Sequence, residues 1–308
     1  MKLGIALGGG GSRGVAHIGV LRVLESANVS VDLIAGTSAG AIVGALYAAG
    51  KSPDEIEQIA RGLRLAQWLT PDRSHMGVFS TRGIRRILEK EIGKDTRIEN
   101  LRRPFAAVTV DLRAQKEIAL TSGSVIDAVC ASSAIPGFFA PDQVGERRCV
   151  DGGVLNPVPF DVVRGMGADC VIAVDLGAEE PFFTGGDPQQ RRKNGWLFRL
   201  LFTAEQMQVV HVPAQAVGIM TRQLREQKLR QSPPDLMLHP QVATVGLMDF
   251  DLMNVCLLAG EQAAREAMPQ LEALLKVPRR THWRKWFDDI LPKASARRQT
   301  TPTKPTTA

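Results

Sequence analysis

Ser38 stands between Gly36 and Gly40, after the short strand pattern Val31 to Ala35 and before the small-residue stretch Ala39 to Ala49. A serine in Gly-x-Ser-x-Gly where a strand turns into a helix is a nucleophile elbow. The turn is so sharp that the positions two before and two after the serine must lack a side chain. The hydroxyl then lies at the positive end of the helix, open to a substrate; the alternative is an ordinary helix N-cap serine. Attack on an ester needs two further parts, a base for the hydroxyl proton and donors for the oxyanion that forms.

Donors are offered by Gly8-Gly9-Gly10-Gly11-Ser12-Arg13-Gly14, which separates the apolar run Lys2 to Leu7 from the helical pattern Val15, Ile18, Val20, Leu21, Leu24. A Gly-rich turn between strand and helix presents backbone N–H groups to an anion, either a nucleotide phosphate or an oxyanion. Gly9, Gly11 and Gly14 satisfy G-x-G-x-x-G, but Asp32 begins the second strand where a ribose-binding acid would end it. Gly50-Lys51-Ser52 imitates the tail of a P-loop, yet Ala45 occupies the place of its first glycine. Gly50 reads instead as a helix C-cap ahead of the capping sequence Ser52-Pro53-Asp54-Glu55.

For the base, a conventional triad requires a histidine. None of His17, His75, His211, His239 and His282 lies in a turn built to hold an imidazole. His17 reads as a packed residue near the Gly-rich loop, and His239, after Leu236-Met237-Leu238, is the late-chain triad candidate. Arg147-Arg148-Cys149-Val150-Asp151-Gly152-Gly153 offers something different: a short strand ending in an acid, with two glycines that let another chain approach the carboxylate. A hairpin turn is the competing reading, but Val154-Leu155-Asn156-Pro157-Val158-Pro159 makes a poor partner strand.

Taken in order, the loop Gly8 to Gly14, the elbow Gly36 to Gly40, the segment Ala134-Ile135-Pro136-Gly137-Phe138-Phe139-Ala140 and the turn Asp151-Gly152-Gly153 resemble the bacterial patatin-like phospholipases. The resemblance covers roughly residues 1 to 275 and is firmest before residue 180. It implies a three-layer α/β sheet flanked by helices and a Ser-Asp dyad, with Ser38 as nucleophile and Asp151 as base. It further implies an oxyanion hole from the N–H groups of Gly10 and Gly11. Arg13 matches an arginine placed near the substrate phosphate; bracing of the loop through carbonyl oxygens is an equal alternative. No cofactor is implied.

The remaining sequence is read around these parts. With 308 residues and 44% hydrophobic content, the chain can bury one large core, and its alternating strand and helix patterns indicate an α/β sheet. Strands are expected over 105–111, 117–120, 147–150, 170–175 and 236–239, and helices over 53–63, 81–92, 125–133 and 249–275. Residues 184–234, with Trp196-Leu197-Phe198 and Leu200-Leu201-Phe202, read equally as a lid or as a helix packed on the sheet.

Cys130, Cys149, Cys170 and Cys256 have no metal-type spacing, no secretory leader precedes the first strand, and no run of 18 apolar residues occurs. The expected location is therefore cytoplasmic, with no metal. The catalytic unit is expected over 1–276, followed by a basic tail over 277–308. That tail carries eight Lys and Arg against Asp288 and Asp289, which equals the formal net charge of +6 of the whole chain. Trp283, Trp286, Phe287, Ile290 and Leu291 repeat at three- and four-residue steps, so residues 279–291 suit peripheral contact with an anionic inner membrane face. Docking of these aromatics on the body is the alternative. No basic stripe extends into the folded part, which argues against nucleic acid.

The expected activity is hydrolysis of a phospholipid or lysophospholipid through an acyl-Ser38 intermediate. The alternatives are a soluble esterase or thioesterase with the same dyad, and a regulatory protein that keeps the fold.

Overall fold

A computed structural model describes residues 1–62, 70–74, 76–177, 204–246 and 249–276; within the helix over 204–231 the side chains of residues 204–215 and 217 are outside the description. The strands are β1 (Leu3–Leu7), β2 (Leu33–Thr37), β3 (Thr70–Pro71), β4 (Phe79–Ser80), β5 (Phe105–Asp111), β6 (Lys116–Leu120), β7 (Asp142–Val144), β8 (Arg147–Asp151), β9 (Cys170–Val174) and β10 (Leu236–Leu238). The helices are α1 (Val15–Ser26), α2 (Ala39–Ala48), α3 (Pro53–Gly62), α4 (Arg82–Ile92), α5 (Val125–Ser132), α6 (Phe160–Gly165), α7 (Ala204–Gln231) and α8 (Met253–Lys276). A short 3-10 turn forms the second half of the Gly-rich loop at Gly11–Gly14, and another follows the acid at Gly152–Val154.

The sheet runs β10-β9-β1-β2-β5-β8-β7, with β6 also on β5, and β3 and β4 form a separate pair. The five strands from β10 to β5 are parallel, whereas β6, β8 and β7 join antiparallel. Parallel strands covered on both faces must be apolar throughout, and β1, β2, β5 and β9 are buried at every residue.

The two faces differ in side-chain size. Ile5, Leu7, Ile34, Ile172 and Val174 point to one side and pack with α1, α2, α5 and α8. The alternate positions Ala6, Ala35 and Ala173 point to the other, where their small size admits Phe160 and Val163 of α6 and Leu229 of α7. Each fully buried Leu or Ile contributes about 1.5–3 kcal/mol, so the layers hold together chiefly through these residues. Cys130, Cys149, Cys170 and Cys256 are all buried within the folded unit.

The observed elements follow the expected ones closely, with additions that short polar segments do not announce. These are β7, the β3–β4 pair, the short helix α6 and a 3-10 turn at Ile98–Asn100, while the helix expected over 249–275 opens as a 3-10 turn at Phe250–Leu252 before α8. Trp196 to Phe202 and the tail 277–308 lie outside the described residues; the C-terminal part of α7 packs on the sheet through Leu229.

Candidate active site

β2 and β8 meet end to end on the same edge of β5, and this brings two distant segments together. Thr37, the last residue of β2, pairs with Val108, while Asp151, the last residue of β8, pairs with the next residue, Thr109. The opposite edge of β5 is taken by β6 over Ala107 to Asp111. Adjacent register positions are about 3.4 Å apart along a strand. Ser38, one residue beyond Thr37, therefore faces Asp151 across the junction.

Ser38 caps α2 with φ 54° and ψ −120°, a left-handed conformation that a residue with a Cβ adopts only under strain. The surrounding backbone enforces it. A Cβ on Gly40 would fall on the carbonyl oxygen of Leu7 in β1, and one on Gly36 would stand 2.6 Å from Cα of Ala41. The Ser38 N–H donates to Oγ of Ser132 at 3.0 Å, and that hydroxyl donates to Val108 O at 2.6 Å. Ser132 is fully buried at the end of α5. It ties the elbow to the strand on which both ends converge.

Asp151 is 5% exposed. Its Oδ1 accepts from the Gly153 N–H at 2.7 Å, and its own N–H donates to Ala134 O at 2.9 Å. The segment Ala134 to Ala140 is thus anchored beside the acid, with Phe138 against Phe79 and Phe139 in an aromatic cluster. Burial pushes the Asp151 carboxyl up to about 6, opposed by hydrogen bonds from the Ser38 hydroxyl and the Gly153 N–H. A carboxylate so raised is a stronger base than a solvated one and is still ionised at neutral pH.

The Gly-rich loop closes the third side. A Cβ on Gly9 would stand 3.5 Å from that of Ser38. Gly8 and Gly9 donate their N–H groups to Val174 O and Pro157 O, whereas the N–H groups of Gly10 and Gly11 have no acceptor among the described residues. The chain after Asp151 is stitched to both other segments, because Asn156 O accepts from Oγ1 of Thr37 at 2.9 Å and Pro157 O accepts from Gly9.

Fully buried Asn156 extends this stitching outward. Its Nδ2 donates to Glu117 at 2.7 Å and Asp161 at 2.8 Å, and Nζ of Lys228 in α7 donates to the same two carboxylates, each at 2.7 Å. Asn156, Ser132 and Lys228 belong to no motif in the sequence, each being an ordinary polar residue there.

The other expected residues are placed apart from this cluster or behind it. Arg13 is completely buried, and its guanidinium donates from Nε to Val245 O at 2.5 Å and from Nη1 to Gly177 O at 2.8 Å. Of the two readings of Arg13, these contacts favour bracing of the loop over contact with a substrate phosphate. His17 is buried behind the loop, with Nε2 donating to Gly8 O at 2.7 Å and burial lowering its pKa to about 4. His239 follows β10, three strands from β2 in a register that aligns Leu238, Val174, Leu7 and Gly36. At about 4.8 Å per strand it lies about 14 Å from the elbow, with Nδ1 3.8 Å from Asp175. It is no partner for Ser38. The positions of His75 and His282 and the side chain of His211 lie outside the description.

Comparison with known proteins gives the family and the fold. The patatin-like phospholipase family model matches residues 5–164, a span that contains the Gly-rich loop, the elbow and the Asp151 turn. The chain belongs to this family. It is 38% identical over 182 residues to an uncharacterized NTE family protein of Mycobacterium tuberculosis, covering 58% of this chain and 50% of that one. It is 37% identical over 186 residues to the mouse patatin-like phospholipase domain-containing protein 6, of which it covers 14%. This patatin-like chain thus spans half or less of the length of these relatives. Among solved structures, VipD from Legionella pneumophila superposes with a TM-score of 0.53 at 13% identity, covering 87% of this chain and 66% of that one, which supports the fold. Among the described residues of this patatin-like unit, no helix is long and apolar enough to cross a membrane and no group of His, Cys, Asp and Glu could hold a metal ion.

Proposed function

We infer that the protein is a serine acyl-ester hydrolase that releases fatty acid from phospholipid or lysophospholipid. The observation that carries this reading is the abutment of strained Ser38 with buried Asp151 on one edge of β5, under a loop whose N–H groups at Gly10 and Gly11 have no acceptor among the described residues. Ser38 Oγ attacks the ester carbonyl carbon as its proton passes to the Asp151 carboxylate. A carboxylate cannot generate a free alkoxide, so attack and proton transfer are concerted, and the Gly10 and Gly11 donors take up the negative charge on the carbonyl oxygen. Collapse expels the alcohol, which leaves with the proton from Asp151. Water then attacks acyl-Ser38 with Asp151 again as base, giving the free acid.

Two features of the chain favour lipid esters over soluble ones: membership of a phospholipase family, and the basic, Trp-containing stretch 279–291, which suits an anionic membrane surface. The test is hydrolysis of acyl esters by the purified protein and by Ser38→Ala, with labelling by a fluorophosphonate. Loss of turnover and of label in Ser38→Ala is expected; stoichiometric labelling of that variant would overturn the reading.

A further inference from the structure

One cavity among the described residues starts a single helical turn away from Ser38. Ser38 caps α2, and Ile42 and Leu46 follow at steps of four residues, on one side of the helix and about 6 and 12 Å further along it. Ile42 and Leu46 form one wall of a narrow cavity of about 60 Å³; Ile59 and Ala60 of α3 and Ile84 and Ile87 of α4 line the rest. Every residue around it is apolar. Ile42, Ile59 and Ile87 are only partly buried, so three helices with apolar faces stop short of closing on one another. Ile59 and Ile87 also line a neighbouring cleft of about 510 Å³, bordered by Lys51, Arg86 and Lys90 beside Glu55 and Glu91.

We propose that this slot between α2, α3 and α4 seats the acyl chain of the scissile ester. The proposal rests on the hydrolase reading of Ser38 and extends it to a substrate class, straight-chain acyl esters. Helical side chains tilt toward the N-terminus, so Ile42 leans over the turn next to Ser38, and an acyl group attached to Ser38 meets it first. The slot is about two water volumes in size. It therefore grips a short stretch of unbranched chain, and further carbons pass into the wider cleft, where water and the charged rim add little per carbon. Specificity constants rise steeply over the first seated methylenes and flatten beyond them. The steep part is about fourfold per methylene, the equivalent of about 0.8 kcal/mol.

The experiment measures kcat/KM for soluble straight-chain and branched acyl esters from butyryl to decanoyl, kept below their micellar concentrations. Wild type is compared with Ile42→Phe, Ile87→Trp and the surface control Leu258→Trp in α8. Filling the slot removes room for about two methylenes, so the decanoyl-to-butyryl ratio falls about fifteenfold in Ile42→Phe and Ile87→Trp and holds in Leu258→Trp. Retained butyryl hydrolysis with an unmoved ratio in both folded variants overturns the slot and leaves the hydrolase reading standing. If neither variant folds, the wild-type profile decides: a ratio near one, or equal rates for branched and straight chains, also overturns it. Absence of Ser38-dependent turnover on every ester overturns the hydrolase reading and the slot with it.

Discussion

Replacing Asp151 with Asn should make the protein inactive and more stable, and the gain in stability should depend on pH in a defined way. Burial raises the carboxyl from 3.8 to about 6 in the folded protein. Between those values the native state holds a proton that the unfolded chain has released, so wild-type stability declines as pH rises through this window. Above about 6 the full cost is present: a shift of about two units at about 1.4 kcal/mol each amounts to about 3 kcal/mol. Asn keeps the shape and an oxygen to accept the Gly153 N–H but carries no charge, so it escapes that cost. Urea unfolding of both proteins from pH 4 to pH 8 should give similar midpoints near pH 4 and a gap that widens to about 3 kcal/mol in favour of Asp151→Asn by pH 7. Other titrating groups are common to both proteins and cancel in the difference. A gap independent of pH, or an Asn variant less stable at pH 8, would refute the reasoning that burial raises this acid.

The acid limb of kcat/KM should fall with unit slope around pH 6, because Asp151 must be ionised to act as base; the limb should persist in His239→Gln, and a shift or loss of it there would point to the imidazole. Gly40→Ala should prevent soluble folding or cost more than about 3 kcal/mol, since the new Cβ meets Leu7 O, whereas Gly165→Ala, with open space around it, should be neutral or stabilise by up to about 1 kcal/mol; thermal melts of the two variants check the contrast. Deleting residues 278–308 should leave hydrolysis of a small soluble ester intact and weaken co-sedimentation with anionic vesicles at low salt, a difference that high salt should erase.

Much of this architecture is legible in the sequence because it is locally encoded. β1, β2, β5 and β9 announce themselves as short, predominantly apolar runs, as strands buried on both faces do, with Thr37, Thr109 and Asp111 as the polar residues among them. Gly36, Ser38 and Gly40 mark the elbow because the backbone geometry forbids side chains there. What the sequence conceals is produced by register between distant segments. Nothing near Asp151 states that it pairs with Thr109 while Thr37 pairs with Val108, which is the relation that makes a site. Ser132, Asn156 and Lys228 are similarly silent, since each is an ordinary polar residue until tertiary packing buries it or gives it two carboxylates to join. Arg13 shows the reverse case: its type fits phosphate, and only its complete burial reveals that its donors serve the loop.

The junction on β5 also governs when during folding the site comes into being. Ser38 and Asp151 are separated by more than a hundred residues of chain, and neither has a local element that could hold the other. Contacts of such long range form slowly, after the loops between them have closed. The helices and the β1–α1–β2 unit can be native-like while the acid is still absent. Register matters equally, because a slip of β8 by a single residue along β5 would turn the Asp151 side chain to the other face of the sheet. An unassembled or misregistered chain therefore carries a serine without its base, and reactivity at Ser38 reports that the whole sheet has found its alignment.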